Sequence, residues 1–582
     1  MNKWTNIQKI FDNLFKVQLL LNITGCFCNI ANGYFAGNFL DNFAISCNSL
    51  IIPFNMIITS IAYIFSSSCE IMCGKYLGAG DRKSLNKTFT IAIRLAVIAS
   101  IIFTVIPFLF PTYVIKFLGG NSEIMDAAIP YLYAYSIGIF AYLLTPILIT
   151  FLNIENEGAH ATKSVVLLAV LYIVFGYTFT KVLKLSYFGL GLTNSLSQIL
   201  TMFFLFARLV KNKQQIFFTR TNIDLTYAKR MVLLGIPSGY AGILLSNRNI
   251  IFNNIVIKAG GVIAMSAYSV MLSGITIQDS IITSALNTCM IVVSICIGEK
   301  NKEELRQLVK HIFTTIVPLN TAFVVLQMIL SKQVAGLYAS DPNVLYIARN
   351  AIVLYLAATI FEMLNDCLIA IYTVFEKYKF VNFFNVMHSF VLHVCFALLM
   401  DKYIGYYAVF VSYLFTELAS LLIYVIYSTY YNKHLPKSYY DLVVVGHDFD
   451  NAKKLYITIN SFEKIVNVSE KISKFCLDNN IDKKRSNLAG LCIEEMVTNI
   501  FDHGFTKTKI DNKKVDIFVI IDDENLSIRI RDNSIAFNPE TRSIIFNPEE
   551  PTKNIGLRIV RNMSKEMTYQ NLFGLNNTII KI

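Results

Sequence analysis

L-G-A-G-D-R-K, residues 77–83, ends a long apolar run and begins a basic segment. About 220 residues later, G-E-K-N-K-E at 298–303 stands in the same position between an apolar run and a basic helix start. At a similar offset, the polar break at 120–124 corresponds to the one at 340–344. The first three quarters of the chain therefore contain an internal repeat.

Each copy of the repeat contains several apolar stretches that are long enough to cross a bilayer. We predict about twelve spans before residue 432, although hydropathy alone leaves eleven or thirteen open. Their approximate cores are 14–38, 46–72, 89–115, 128–152, 163–183, 188–209, 232–258, 263–296, 309–331, 346–374, 380–400 and 404–430. Six spans per copy is an even number, so both copies begin on the same side of the membrane. The predicted fold is an all-α polytopic domain of two six-helix lobes with a cavity between them.

The connections between spans carry charge asymmetrically. One alternate set includes most of the basic residues, among them Arg82, Lys83, Arg208, Lys229 and Lys302. The other set offers only Lys116, Lys181, Lys184, Lys258, Lys332 and Lys402. Because cytoplasmic loops are enriched in Lys and Arg, we predict a multi-pass plasma-membrane protein with both termini in the cytoplasm. The net charge of +12 is dispersed, which argues against a nucleic-acid partner.

Two acids, Glu362 and Asp366, stand one helical turn apart within a predicted span. Two close carboxylates can bind a cation or share one proton, so this pair leads the candidates for ion coupling. In the alternative interpretation, one of them pairs with Arg248 as a structural contact. Arg248 and Glu417 are weaker candidates, and structural roles are expected for His388, His393, Glu70 and Arg94.

Six plus six spans, with the two related turns after the second and the eighth, resemble the multidrug and toxic compound extrusion (MATE) family. G-I-P-S at 235–238, K-A-G-G at 258–261 and G-L-G at 189–191 are similar to that family as well. The resemblance covers about 430 residues. It implies a secondary exporter of organic cations or other amphiphilic compounds, driven by a proton or sodium gradient.

The first span departs from the family pattern. MATE proteins usually carry an Asp there that changes protonation during transport, and the flanking F-A-G-N-F-L at 35–40 places Asn32 at that position. An amide can coordinate a cation or bind a substrate, but it does not titrate. Either the second lobe couples the ion, or the membrane body no longer pumps.

N-K-H-L-P-K at 432–437 turns the chain polar, and Pro436 discourages a continuing helix. We therefore divide the chain into a membrane domain at 1–432, with lobes of about 1–212 and 213–432, a linker at 433–440 and a cytosolic domain at 441–582.

Within the last domain, N-L-A-G-L-C-I-E-E-M-V-T-N-I-F-D-H-G-F at 487–505 predicts an amphipathic helix. Glu495, Asn499 and His503 fall at steps of four and therefore share one face. Such a face could hold a metal and prepare a hydroxyl for attack on a phosphate, or it could simply be solvated. A strand-like alternation then runs into Asp532, and we predict an α/β sandwich with antiparallel strands on one side and helices on the other.

A helix with Glu and Asn, a strand into Asp and a Gly at a helix start resemble the GHKL (Bergerat-fold) ATP-binding family, particularly anti-sigma-factor serine kinases. The resemblance implies that Asn499 ligates Mg²⁺, Glu495 is a general base and Asp532 accepts a hydrogen bond from the adenine of ATP. The expected nucleotide contacts also include His503, Gly556 and Leu557, beside an ATP lid at 538–554. The family usually has Gly where this chain has Ser534.

Three hypotheses follow for the whole chain. It is a gradient-driven exporter regulated by the ATP domain, a membrane-anchored serine kinase whose body senses a ligand, or an exporter with an inert tail. The pair Glu362 and Asp366 favours the first hypothesis, Asn32 the second and Ser534 the third. No P-loop motif occurs, which excludes an ABC-type motor. Besides small compounds and membrane lipid, a phosphorylated protein or a second ATP domain is an expected partner.

Overall fold

The computed structural model describes residues 6–40, 42–118, 124–154, 157–211, 219, 224–338, 341–443, 453–505, 513–522, 525–535, 555–572 and 575–582. Met1–Asn153 and Glu157–Val445 form one compact unit, the membrane unit. Ile154–Asn156 and Gly446–Ile582 form the second unit.

The membrane unit is helical. Its first half contains α1 (Asn6–Phe39), α2 (Asn42–Ala79), α3 (Arg82–Leu109), α4 (Pro111–Phe117), α5 (Met125–Ser136), α6 (Ile139–Ile154), α7 (Gly158–Tyr177) and α8 (Ser186–Lys211). Its second half contains α9 (Leu225–Gly274), α10 (Thr276–Gly298), α11 (Lys302–His311), α12 (Val317–Ile329), α13 (Ser331–Gly336), α14 (Pro342–Val374), α15 (Tyr378–Val386), α16 (Leu392–Ile404) and α17 (Tyr407–Asn432). Single π-helical turns continue three of these helices at Thr178–Val182, Ile312–Ile316 and Met387–Val391.

Ten helical segments in the described part of the chain are long and apolar enough to cross a membrane. They are Pro53–Ala79, Arg82–Leu109, Met125–Ile154, Gly158–Val182, Ser186–Lys211, Thr276–Gly298, Lys302–Ile329, Pro342–Val374, Tyr378–Ile404 and Tyr407–Asn432. The helices that begin the two halves, α1 and α9, are not among the ten. Asparagines recur in α1, and α9 contains charged residues such as Arg230 and Arg248.

The predicted span at 263–296 combines parts of two helices, the end of α9 and most of α10. Gly261 interrupts α9 with φ 61° and ψ −156°, a backbone conformation that only Gly adopts readily. The apolar segment Ile263–Gly274 therefore leads into α10 as a separate short helix.

The two repeated turns have the same backbone conformation. Gly80 and Lys300 both have positive φ, 71° and 51° respectively. Each is followed by an N-cap residue whose side chain accepts a hydrogen bond from a backbone N–H: Asp81 from Ser84 at 3.0 Å and Asn301 from Glu304 at 3.1 Å. The caps start α3 and α11 by satisfying backbone donors at the helix N-termini.

Glycines bring the two halves into backbone contact near these turns. A Cβ on Gly298 of α10 would lie 2.0 Å from the carbonyl oxygen of Lys75 in α2. A Cβ on Gly78 would lie 2.4 Å from the carbonyl oxygen of Ile295. Only residues without a side chain allow α2 and α10 to approach so closely.

The second unit is an α/β sandwich. Its elements are β1 (Lys453–Ile459), α18 (Ile465–Asp478), α19 (Lys483–Asn499), β2 (Val515–Asp522), β3 (Asn525–Asp532), α20 (Ile555–Met563), β4 (Glu566–Leu572) and β5 (Leu575–Lys581). The strands form one antiparallel sheet in the order β1-β2-β3-β5-β4. Because strand side chains alternate, Ile517, Val519, Ile528 and Ile530 share one face. They pack there with residues of α18, α19 and α20, including Ile472, Ile493 and Val560, in a single apolar core.

Candidate functional site

A cavity of about 1010 Å³ lies between the two halves of the membrane unit. Its walls differ in chemistry. The first half contributes mainly tyrosines, hydroxyls and amides, including Tyr135, Tyr142, Tyr172 and Asn194. The second half contributes the acids Asp279, Glu362, Asp366 and Glu417 together with Arg248, His388 and His393.

Glu362 and Asp366 both line this cavity from α14 and are half-buried. Neither carboxylate forms a hydrogen bond or an ion pair with any described residue. A third acid, Asp279 at the start of α10, lines the same wall and accepts a hydrogen bond from the hydroxyl of Tyr355 at 2.9 Å. Unpartnered carboxylates that face a polar cavity can take up a cation or a proton from it.

Arg248 of α9 does not form an ion pair with Glu362 or Asp366 in the described structure. Its Nη1 instead lies 3.3 Å from Nε2 of His393, and its guanidinium lies over the ring of Tyr413 at 5.2 Å from the centroid. Cation–π contact of this kind stabilises a guanidinium that has little access to water. His393 and Tyr413 therefore hold the guanidinium in place of an ion pair with either α14 carboxylate.

Glu417 of α17 is held by two partners from other helices. His388 Nε2 lies 2.9 Å from Oε1, and Asn365 Nδ2 donates to Oε2 at 2.7 Å. His393 Nδ1 in turn lies 2.7 Å from the carbonyl oxygen of His388. This cluster joins α14, α16 and α17 at the cavity wall.

In the first half, a polar cluster faces the cavity. Asn194 Oδ1 accepts hydrogen bonds from Tyr172 at 2.8 Å and Tyr142 at 3.1 Å. Glu70, for which we predicted a structural role, also lines the cavity and is 7% exposed. Asn32 belongs to α1, but its side chain lies outside the described residues.

In the second unit, Asp532 ends β3 as a buried acid. Its Oδ1 accepts hydrogen bonds from the backbone N–H of Ser534 at 2.9 Å and from Asn576 Nδ2 at 2.9 Å. The Ser534 hydroxyl donates to the same oxygen. Burial raises the pKa of Asp532, although the hydrogen bonds from Ser534 and Asn576 act in the opposite direction. Oδ2 accepts no hydrogen bond from a described residue, so it is available to a ligand.

Glu495 and Asn499 occupy the last turn of α19 and are half-buried. Neither side chain makes a hydrogen bond to a described residue. Beyond Asn499 the helix widens into a π-helical turn, Ile500–Gly504, and His503 within it is exposed. A π turn changes the angular step between residues, so the spacing of four does not by itself align His503 with the other two.

Gly504 joins this helix end to the Asp532 loop. A Cβ at Gly504 would lie 2.5 Å from Ser534 Oγ and 2.8 Å from Ser534 Cβ. The two segments that carry Glu495, Asn499 and Asp532 therefore meet at a point where only Gly fits. Asp532 Oδ2 can accept a hydrogen bond from adenine. The Glu495 carboxylate and the Asn499 amide are oxygen-bearing groups suited to a hydrated Mg²⁺, so these residues fit a magnesium nucleotide.

The remaining expected nucleotide contacts lie around α20. Leu557 is 4% exposed and belongs to the apolar core, so its backbone alone is left for a ligand. Gly556 is in the first turn of α20. The expected lid at 538–554 lies outside the described residues.

Two residues were not identified from the sequence. Asp279 follows a short apolar helix, and an acid inside the predicted span at 263–296 was the signal that could have revealed it. Asn576, which pairs directly with Asp532 across β3 and β5, gave no such signal. Its position depends on strand register rather than on local pattern.

Comparison with known proteins agrees with this architecture. The MatE family model matches residues 19–178 and 237–399, more than half of the chain. The model for the histidine kinase-like ATPase domain matches residues 461–581. No curated protein matches the chain.

Solved transporter structures resemble the membrane unit. One is a multidrug resistance MATE family transporter of the MOP superfamily in an outward-facing conformation, at 17% identity and a TM-score of 0.67, with 73% of this chain and 97% of that chain covered. Another is a MATE in complex with MaD3S, at 17% identity and 0.67, covering 72% and 97%. A third is an Asp-to-Asn mutant of the Vibrio cholerae MATE transporter VcmN, at 12% identity and 0.68, covering 75% and 100%.

At 12–17% identity, the solved structures show only that the fold is shared. Membership of the family rests on the MatE model, which covers most of the membrane unit. Together with the apolar helices, the match identifies an integral membrane protein with a transporter fold. The chain belongs to the MATE family, and it carries a histidine kinase-like ATPase domain at its C-terminal end.

Proposed function

We propose that the protein is a secondary-active exporter of organic cations or other amphiphilic compounds, driven by a proton or sodium gradient. Its C-terminal ATP-binding domain regulates that transport. The observation that carries the proposal is the acidic wall of the cavity, where Glu362 and Asp366 face the interior and form no ion pair with a described residue.

Ion coupling follows from the charge on this wall. When a proton or Na⁺ occupies the pair Glu362 and Asp366, the negative charge that attracts a cationic compound is diminished. The ion and the substrate therefore compete for the cavity, which is the condition for antiport. Asp279 adds to the same negative field, and Tyr355 holds its carboxylate in place.

Substrate class follows from the opposite wall. Tyr135, Tyr142 and Tyr172 present aromatic rings, and Asn194 presents an amide. Aromatic faces attract organic cations through cation–π interaction and accommodate apolar substituents as well. Asn32, which cannot titrate, leaves ion coupling to the second half.

The proposed topology places both termini in the cytoplasm of a twelve-span protein, with α1 and α9 added to the ten apolar segments. Basic connections such as the Arg82–Lys83 turn face the cytoplasm under the positive-inside rule. Membrane lipid surrounds the spans. The second unit is then in the compartment that contains ATP.

In the ATP domain, Asp532 would bind the adenine, Asn499 would bind Mg²⁺, and Glu495 would act as the general base toward an attacking hydroxyl. Bound magnesium ATP would supply a transferable phosphoryl group. Regulation could then proceed through nucleotide binding alone or through phosphorylation of a protein serine or threonine. Pairing of two ATP domains is a further possible assembly.

A second candidate function is a membrane-anchored serine kinase whose transporter-like body senses a ligand. Two observations favour it. Asn32 replaces a titrating residue of the family, and Glu495, Asn499 and Asp532 are all retained in the ATP domain.

The proposal is tested by comparing Asp366→Asn with a matched control, Asp126→Asn, in liposomes. Asp126 is an exposed acid in the first turn of α5, so both variants remove one carboxylate without changing side-chain shape. We expect Asp366→Asn to abolish gradient-driven uptake of a fluorescent organic cation and Asp126→Asn to retain it. Equal uptake by both would contradict the assignment of the coupling site.

A further inference from the structure

The end of the membrane unit is a folded turn rather than an open tether. Tyr439–Leu442 forms a 3₁₀ turn that is closed by a capping box between Ser438 and Asp441. Asp441 Oδ2 accepts from the backbone N–H groups of Lys437 at 2.8 Å and Ser438 at 3.0 Å. These hydrogen bonds lower the pKa of Asp441, so the cap is charged at neutral pH. We name residues 438–443 the linker turn.

Four contacts fasten the linker turn to the second half of the membrane unit. The hydroxyl of Tyr372 in α14 donates to the Leu442 carbonyl oxygen at 2.6 Å, and Asn432 Nδ2 donates to the Asp441 carbonyl oxygen at 3.0 Å. Aromatic contacts add to these: Tyr439 stacks on Phe313 at 5.1 Å, and Arg306 lies 4.8 Å from the Tyr440 ring centroid. The turn therefore touches three membrane helices and the π turn at Ile312–Ile316.

The contact at Tyr372 continues toward the cavity. The Tyr372 ring stacks on Tyr424 of α17 at 5.6 Å, and the Tyr424 hydroxyl donates to the Asn365 carbonyl oxygen at 3.1 Å. Asn365 Nδ2 donates to Glu417, and the next residue in α14 is Asp366. One helix, α14, thus carries both the cavity acids and the anchor for the linker turn.

We infer that the linker turn, held by Tyr372, is the element through which the ATP domain and the cavity acids influence each other. A change in the ATP domain reaches the linker turn through the covalent chain. It then shifts α14 because Tyr372 joins that helix to the Leu442 carbonyl. The inference rests on the proposed function, since it specifies how ATP would regulate the exporter.

The linker turn has a simpler interpretation, in which its contacts only seal the end of the helix bundle. The two interpretations differ in what happens when the hydrogen bond from Tyr372 to the Leu442 carbonyl oxygen is removed. If the linker turn only seals the bundle, it stays in place because the aromatic packing remains. If it couples the ATP domain to α14, it loses the contact that links its movement to that helix.

The test is Tyr372→Phe, with Tyr427→Phe as the matched control. Tyr427 packs against the same rings, and its hydroxyl has no hydrogen bond to a described residue. Uptake of an organic cation into liposomes is measured with and without ATP, and ATP affinity is measured separately. We expect Tyr372→Phe to keep basal uptake and ATP affinity. The ATP effect on uptake should weaken by about fivefold, the shift that one neutral hydrogen bond supports.

A second measurement does not depend on transport. Backbone hydrogen exchange of a peptide that contains 438–443 should change on adding ATP in the wild type and in Tyr427→Phe. In Tyr372→Phe, the accompanying change in the α14 peptide should be lost. An α14 response in Tyr372→Phe equal to the wild-type response would overturn the inference. The inference would also be overturned if ATP changed wild-type hydrogen exchange in neither the 438–443 peptide nor the α14 peptide. Wild-type uptake that ATP does not alter would instead overturn the proposed regulation.

Discussion

Replacing Gly298 by Ala tests how the two halves of the membrane unit close against each other. The new Cβ would stand 2.0 Å from the carbonyl oxygen of Lys75 and 2.7 Å from its carbonyl carbon. Both atoms belong to the backbone of α2, so no side-chain rotation relieves the overlap. Ordinary contact begins at 3.4 Å, so the helices must separate by about 1.4 Å.

Overpacking of this kind costs about 1–3 kcal/mol. That range corresponds to a roughly 5- to 150-fold shift in the equilibrium between the close-packed arrangement and one with α2 and α10 apart. Because an alternating-access transporter must pass through both arrangements, the variant should transport more slowly by a factor within this range. Gly78→Ala should behave alike, since its Cβ would lie 2.4 Å from the Ile295 carbonyl oxygen.

The assay is pulsed EPR on spin labels at Lys83 and Lys302, two exposed positions beside the repeated turns. We expect longer distances between the labels in Gly298→Ala than in the wild type. Gly336→Ala is the control, because its Cβ would meet nothing nearer than Leu345 Cδ1 at 3.8 Å. Wild-type distances and transport rate in Gly298→Ala, with a folded protein, would refute the steric reasoning.

Three further predictions concern the ATP domain. Glu495→Gln should bind ATP nearly as well as the wild type but lose phosphoryl transfer by about 10²- to 10⁴-fold, because the base is lost and the metal ligand stays; calorimetry and phosphate transfer assays separate the two effects. Asn499→Ala should abolish magnesium-dependent ATP binding, and unchanged affinity would contradict the pocket assignment. Ser534→Gly removes the hydroxyl that donates to Asp532 Oδ1, so ATP should bind several-fold more tightly; weaker binding would show that the hydroxyl orients the acid.

Local chemistry made the repeated turns predictable. Gly80 and Asp81 supply a positive φ and a helix cap within a few residues of each other, and Lys300 and Asn301 do the same in the second copy. The sequence pattern also pointed to the polar end of α19, because Glu495 and Asn499 are one helical turn apart. The turns and the end of α19 each involve only a few neighbouring residues, so the local sequence was enough to predict them.

Longer-range features were not predictable in the same way. The contact between Asp532 and Asn576 joins residues 44 positions apart and depends on the register of β3 and β5. The cavity brings Asp279 and Glu362 to one wall through the packing of α10 and α14. Hydropathy alone gave the span at 263–296 as one unit because it does not register the turn at Ile275 that separates α9 from α10.

The contacts at the end of the membrane unit were also not predictable from the sequence. Pro436 and the polar residues around it indicated a short linker at 433–440 but not what it touches. In the structure, Tyr439 stacks on Phe313, and Tyr440 lies against Arg306. Those partners lie more than a hundred residues earlier and could not be identified by local pattern.

The central claim is that the protein uses an ion gradient to move organic cations and that ATP changes the rate. The most direct test is reconstitution in liposomes, with an imposed proton or sodium gradient and ATP supplied or withheld on the side of the ATP domain. We expect uptake of a fluorescent organic cation that requires the gradient and changes with ATP. Uptake indifferent to ATP would contradict the regulatory role, and no uptake across a panel of cations under either gradient would contradict the exporter.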